Sequence, residues 1–193
     1  EDAELVYVGK QPGGGTGQEQ CKIASDRLGD HMTAQSRTAF PPPDHDHERC
    51  SSDALAHAEA LCAERSERLT PTRRQVLQSL LATHRPLGAY ELIDRLAAEG
   101  ARPAPITVYR ALDFLQAQGL VHRIESRNAF VACIHSHDSG NPVVFLLCDR
   151  CGAVGEVDSS AAANALKAAA RAVGFTPKTP VIEIAGICAN CRA

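Results

Sequence analysis

Two Cys-x-x-Cys pairs, Cys148 with Cys151 and Cys188 with Cys191, carry the strongest chemical signal in this chain. Each pair is a tight knuckle whose two sulfurs can point at one ion. Two knuckles complete a tetrahedral four-thiolate site, which suits zinc and leaves no open position for catalysis. Binding energy at such a site becomes folding energy. Two redox dithiols are the competing reading, and metal content under reducing conditions separates the two. A second set of ligating side chains comprises His122, Cys133, His135, His137 and Glu156. Its nitrogen, sulfur and oxygen donors with a single thiolate favour zinc over iron(II) or manganese. Any one of these histidines alone reads as a solvated side chain; their number beside a linker is what points to a metal. The tract Asp44-His45-Asp46-His47 also carries ligating types, but it reads as part of a solvated tail.

The elements that must position these residues follow from pattern. Residues 1–50 read as an unordered extension, with a GGGTG stretch at 13–17, a Pro run at 41–43, and Met32 as a candidate natural start. Ser51-Ser52-Asp53 then signals an N-cap, followed by an Ala-rich helix with Leu55, Ala58, Leu61 and Cys62 on one face. Thr70-Pro71 opens a second helix with Val76, Leu77, Leu80 and Leu81 as its stripe. A third helix is predicted over 89–99 and a fourth over about 105–118, each stopped by a Gly. The period then switches to strand-like over 120–124 and 128–133, with Glu125-Ser126-Arg127 as the turn. Helices closed by a two-stranded hairpin form a winged-helix pattern. The fourth helix would be the recognition helix, with Val108, Leu112 and Leu115 facing the core. Thr107, Tyr109 and Arg110 lie near its N-terminal end, where such a helix meets base edges, and Tyr90 opens the preceding helix. The alternative is that Tyr109 is half-buried packing and Arg110 a surface ion pair.

The winged-helix domain thus spans 51–133, a polar hinge loop 134–142, and a second small domain 143–193. The second domain reads as a strand over 143–147, a hairpin partner over 152–157, a helix over 161–173 and a strand over 179–187. The fold class is α+β.

Composition bounds the partners. The chain is 44% hydrophobic, which excludes disorder throughout. Its apolar runs, such as VVFLLC, are too short to span a bilayer, so no membrane association is expected. The net charge of −3 gives no reason of its own to expect nucleic acid. Between 51 and 130, however, every basic side chain is Arg, which contacts phosphate and guanine in a bidentate way that Lys cannot. Eight Cys without an apolar leader in 1–20, at a density too low for a disulfide-stapled miniprotein, point to metal and a reducing cytoplasm. A zinc hydrolase or deaminase would need an open coordination site and a general base. No His-x-Glu stands shortly before either Cys-x-x-Cys, where deaminases place it, and no Gly-x-Ser-x-Gly or phosphate loop appears. An enzyme is therefore not expected.

Read in order, LTPTR at 69–73, TVYRALDFL at 107–115, His122 on the wing, CDRCGAV at 148–154 and CANC at 188–191 resemble the Fur superfamily of metal-sensing repressors. The likeness spans about 52–193 and is strongest to the zinc-sensing branch. It implies a homodimer of winged-helix and α/β dimerisation domains that binds a palindromic double-stranded DNA operator. Zinc would act as corepressor and silence zinc-uptake genes. It also implies two zinc ions per protomer, one structural in the four-Cys site and one regulatory at the hinge. The regulatory ligands would be His122, Cys133, Glu156 and one further His. One pattern in the family places that last ligand where this chain has Asn141. The departure hands the role to His135 or His137, with His137 favoured because it lies further from Cys133. The DNA contacts carried over are Tyr90, Tyr109 and Arg110. An iron- or peroxide-sensing member of the same superfamily is the rival, and Cys133 argues against it.

Overall fold

The computed structural model describes residues 5–9, 39–42, 45–100, 102–133, 143–158, 160–177 and 180–192. Met32 and the hinge loop 134–142, with His135, His137 and Asn141, lie outside the described residues.

Four helices build the first half: α1 (His47–Glu64), α2 (Pro71–Leu81), α3 (Ala89–Glu99) and α4 (Pro105–Ala117). α1 starts a turn earlier than the Ser51 cap expected from the sequence. Asp46 is the cap, its carboxylate accepting the Arg49 N–H at 3.0 Å. Ser51 has other work, donating its hydroxyl to the Leu81 carbonyl at 3.0 Å. That carbonyl ends α2 and has no partner within its own helix, so Ser51 satisfies an otherwise orphaned acceptor. Pro71 opens α2 as expected, with Thr70 extended before it. The predicted stripes close on one another: Ala58, Cys62, Val76, Leu80, Leu92, Val108, Leu112 and Leu115 are all buried in one cluster.

A two-stranded antiparallel sheet follows, β2 (Val121–Ile124) against β3 (Ala129–Ala132), with Val121 opposite Ala132. The connection is one 3-10 turn, Glu125–Arg127, closed by Asn128 in the left-handed region at φ 46°. Asn is among the few side chains that tolerate that conformation.

The other half is a four-stranded sheet in the order β1-β6-β4-β5. Its strands are β1 (Leu5–Gly9), β4 (Val143–Cys148), β5 (Val154–Asp158) and β6 (Pro180–Gly186). β4 and β5 form the expected hairpin. α5 (Ser160–Ala172) then carries the chain across so that β6 lies parallel to β4. A four-residue helix, α6 (Ala189–Arg192), ends the described chain. The reading of 1–50 as an unordered extension differs from the structure at both ends of that segment. β1 pairs antiparallel with β6, and residues 45–50 cap and open α1.

The two halves are joined by packing and by backbone. Ile124 and Val131 of the β2–β3 hairpin pack with Phe145, Leu147 and Val154 of the larger sheet. The His84 carbonyl, in the turn after α2, accepts the Val154 N–H at 2.9 Å. Glu183 on β6 is almost wholly buried and accepts the backbone N–H groups of Glu125 and Ser126 at 2.6 and 3.2 Å, together with the Ser126 hydroxyl.

Candidate metal centres

The parallel register of β4 and β6 sets Cys148 directly opposite Gly186. Both strands therefore end on the same side of the sheet, and the two Cys-x-x-Cys turns emerge together. Asp149 N–H bonds back to the Gly186 carbonyl at 2.9 Å and locks the two turns in step. The sulfurs of Cys148, Cys151, Cys188 and Cys191 all lie within 4.8 Å of one another. Cys151 Sγ is 3.8 Å from Cys188 Sγ, and the Cys188 N–H donates to Cys148 Sγ at 3.4 Å. Burial alone would raise the Cys148 thiol. N–H donors of Cys188, Cys151 and Arg150, with the Cys151 thiol, outweigh that and hold it down at about 6. Burial and the other three sulfurs push Cys191 up to about 12. Four sulfurs packed this closely share one negative charge poorly, whereas a divalent cation lets all four ionise. The donor set and its closed geometry fit a structural zinc.

The second cluster spans the joint. His122 lies on β2, Cys133 directly follows β3, and Glu156 lies on β5. Pairing of the hairpin places His122 opposite Val131, and the Cys133 N–H donates to the Leu120 carbonyl at 2.9 Å, which sets the thiol beside the imidazole. Glu156, opposite Phe145 in its own sheet, enters from the other half. Its side chain is 5% exposed. Cys133 Sγ lies 3.6 Å from Glu156 Oε2, and His122 Nε2 lies 4.0 Å from Glu156 Oε1. The His122 ring packs against Phe145 with centroids 5.2 Å apart. A thiol, an imidazole and a carboxylate are thus drawn together from two sheets, with ligand atoms within 4.8 Å. That donor set fits zinc.

The helix-borne candidates sit apart from both clusters. Tyr90, at the start of α3, is 67% exposed. On α4, Val108 is buried while Thr107, Tyr109 and Arg110 around it are exposed, so the N-terminal turn presents a polar and aromatic edge. Arg110 makes no ion pair among the described residues, unlike Arg102, which holds Asp94 at 2.9 Å.

Two residues escaped the sequence reading. Glu183 lies in the strand string VIEIAG, where a lone carboxylate reads as the solvent face; only the approach of the hairpin turn buries it. His84 is a single His between two helices, and it meets His45 and His47 of the tract read as a tail.

The ferric uptake regulator family model matches residues 64–185. The zinc uptake regulation protein of Escherichia coli strain K12 is 40% identical over 141 residues, covering 73% of this chain and 82% of that protein. Its counterpart in Mycobacterium tuberculosis is 32% identical over 123 residues, 63% of this chain and 92% of that protein. Among solved structures, a zinc uptake regulator complexed with zinc and DNA superposes with a TM-score of 0.68 at 39% identity, covering 74% of this chain and 95% of that one. The crystal structure of holo XcZur gives 0.66 at 44% identity, covering 74% and 98%.

Proposed function

The chain belongs to the ferric uptake regulator family, whose similar members are named as regulators and not enzymes, and from that premise we propose a zinc-dependent repressor acting on operator DNA as a homodimer. The coarse role, a zinc-responsive regulator of transcription, comes with the family and the zinc uptake relatives. Cys148, Cys151, Cys188 and Cys191 would hold a structural zinc. His122, Cys133 and Glu156 would hold the regulatory one, completed by His137 or His135. That makes two per protomer in these two sites.

One observation carries the reading: His122, Cys133 and Glu156 converge from two different sheets across the joint between the helical half and the larger sheet. Zinc, when bound, supplies coordination bonds that no hydrogen bond among these side chains replaces. The chain's own residues do the rest. The hairpin carries His122 and Cys133 rigidly, because Ile124 and Val131 beside them are packed into the joint. β5 carries Glu156. Only one relative placement of hairpin and β5 brings the three donors together, so a ligand that needs all three favours that placement by its differential affinity. α3 and α4 move with the hairpin, since Leu120, Val121 and Phe130 are buried in the same cluster as Leu112 and Leu115. Tyr90, Thr107, Tyr109 and Arg110 would then be presented to the major groove, with a second copy supplying the other half-site. Repressed zinc-uptake genes are the natural target of such a switch. No helix among the described residues is long and apolar enough to cross a membrane.

The test is DNA binding by fluorescence anisotropy on a palindromic AT-rich probe, with metal content followed through mild chelation. Chelation should remove a loosely held zinc, leave a tight one and abolish binding, and added zinc should restore it. Cys133→Ser should keep the tight zinc and lose the response. Binding that ignores zinc, or that returns with iron(II) and not with zinc, overturns the assignment.

A further inference from the structure

We propose that His45, His47 and His84 form a third metal site, for a divalent ion of the zinc class, that fastens the segment ahead of α1 to the turn after α2. Each can present one ring nitrogen with all three within 4.8 Å of one another. Donors around a tetrahedral zinc, at roughly 2.0–2.1 Å from the ion, stand about 3.3 Å apart, so small ring rotations close the gap. The rings are mutually inclined, at 74°, 47° and 65°, with centroids 5.3, 4.8 and 4.7 Å apart, and none is stacked flat on another.

The hydrogen bonding prepares the nitrogens for this role. His45 Nδ1 donates to the Pro42 carbonyl at 2.8 Å, because a carbonyl can only accept. That leaves Nε2 of a neutral His45 as a lone pair, and it lies 2.9 Å from His84 Nε2. A backbone carbonyl holding the far nitrogen of a ligating imidazole is the usual support at metal sites. His47 Nδ1 is buried and has no hydrogen-bond partner among the described residues. Buried polar atoms seldom go unmatched, and a metal bond is one way to match this one. Burial, then the neighbouring His47 and His45, lowers His84 to about 4, so its ring is neutral at ordinary pH. Three imidazoles with a further position open to water suit zinc, cobalt(II) or nickel.

The placement suggests what the ion would do. Residues 39–42 lie against the larger sheet. A Cβ on Gly155 would come within 2.5 Å of the Ala39 carbonyl oxygen, and Asn190 Nδ2 donates to the Pro41 carbonyl at 2.9 Å. His84 grips the same sheet through its own carbonyl, bonded to Val154 N–H. Cys50, His84 and Glu156 line a common cleft. An ion on the three histidines would thus add a fastening across the joint that His122, Cys133 and Glu156 also span, using the tract before α1.

The test is metal stoichiometry, which is independent of DNA binding and so of the functional reading. The full chain carrying His122→Ala and Cys133→Ser is stripped by mild chelation and reloaded with zinc, or with cobalt(II) for spectroscopy. One ion beyond the four-thiolate one should bind, and its cobalt(II) form should show ligand-field bands without a thiolate charge-transfer band. Adding H45Q with H47Q, or separately H84Q, should abolish that ion and leave the four-thiolate ion in place. H84Q lies outside the helices and the pair lies at the start of α1, so the two routes check each other against misfolding. No extra ion, or an extra ion that survives both sets of substitutions, overturns the proposal and leaves a His–His hydrogen bond in its place.

Discussion

Glu183 lets the joint be tested by stability rather than by metal. Its side chain is 1% exposed, and its two oxygens take Glu125 N–H at 2.6 Å, Ser126 N–H at 3.2 Å and the Ser126 hydroxyl. A hydrogen bond to a charged acceptor contributes about 1.5–3 kcal/mol, so three give about 5–9 gross. Two effects offset this. Ser126 is exposed and Glu125 only half-buried, so water can reach part of what Glu183→Ala leaves unbonded. Removing a buried carboxylate also releases its desolvation penalty, which amounts to several kcal/mol. The net loss should be about 2–3 kcal/mol. With a urea slope of about 2 kcal/mol/M, the midpoint falls by about 1–1.5 M. Glu183→Gln keeps one acceptor oxygen but turns an NH2 toward a donor, so it should fall between wild type and Ala. The assay is urea unfolding with zinc saturating, so that metal loss does not enter the comparison. A Glu183→Ala midpoint within about 0.2 M of wild type would refute the reasoning, because the hairpin turn would then be held by packing alone.

Three further outcomes follow from the same geometry. Cys188→Ser should leave the four-thiolate zinc unbound and the larger sheet unfolded, since structural zinc contributes about 10–16 kcal/mol of apparent binding energy, comparable to a whole domain's stability; zinc content and circular dichroism check it. His84 is lowered from 6.5 to about 4 in the metal-free fold, so the unfolded chain takes up its proton first. Stability from this group is full above about pH 6.5 and is lost as pH falls toward 4, and H84Q should flatten that part of the apo-protein unfolding profile. Arg110→Ala, at an exposed position, should leave the unfolding midpoint unchanged while weakening operator binding by about 1–3 kcal/mol at fixed salt, with relaxed preference at one base pair if the contact is to guanine.

What could be read from the sequence was what local spacing encodes. The Cys-x-x-Cys pairs, the helix stripes and the hairpin carrying His122 and Cys133 are all written within a few residues. Glu156 was within reach because β5 is the short-range hairpin partner of β4. The rest depends on pairings that no local pattern specifies. The parallel register of β4 and β6 brings the two Cys turns to one end of the sheet, and a crossover through α5 sets it. β1 was hidden because Leu5–Gly9 sits in a segment whose overall composition argues against order. The start of α1 was misplaced because two cap signals compete, and Ser51 is drawn to the end of another helix.

Glu183 and His84 share one cause. A carboxylate in a strand and an imidazole in a turn are ordinary surface residues by type and neighbourhood. Each becomes significant only because it faces the joint. That is also why the candidate donors His122, Cys133 and Glu156 gather there. A donor set confined to one half could stabilise that half but could not bias its placement against the other. Donors divided between the hairpin and β5 change affinity when the halves shift, which is the differential binding a population shift requires. His122, Cys133 and Glu156 meet that condition directly. His45, His47 and His84 would meet it at one remove, through the His84 carbonyl, bonded to Val154 on β5, and the Pro41 carbonyl, bonded to Asn190 on α6. The order of effects follows: losing a hinge ligand should abolish the zinc response, whereas losing the three histidines should change how tightly the closed arrangement is held without removing the response.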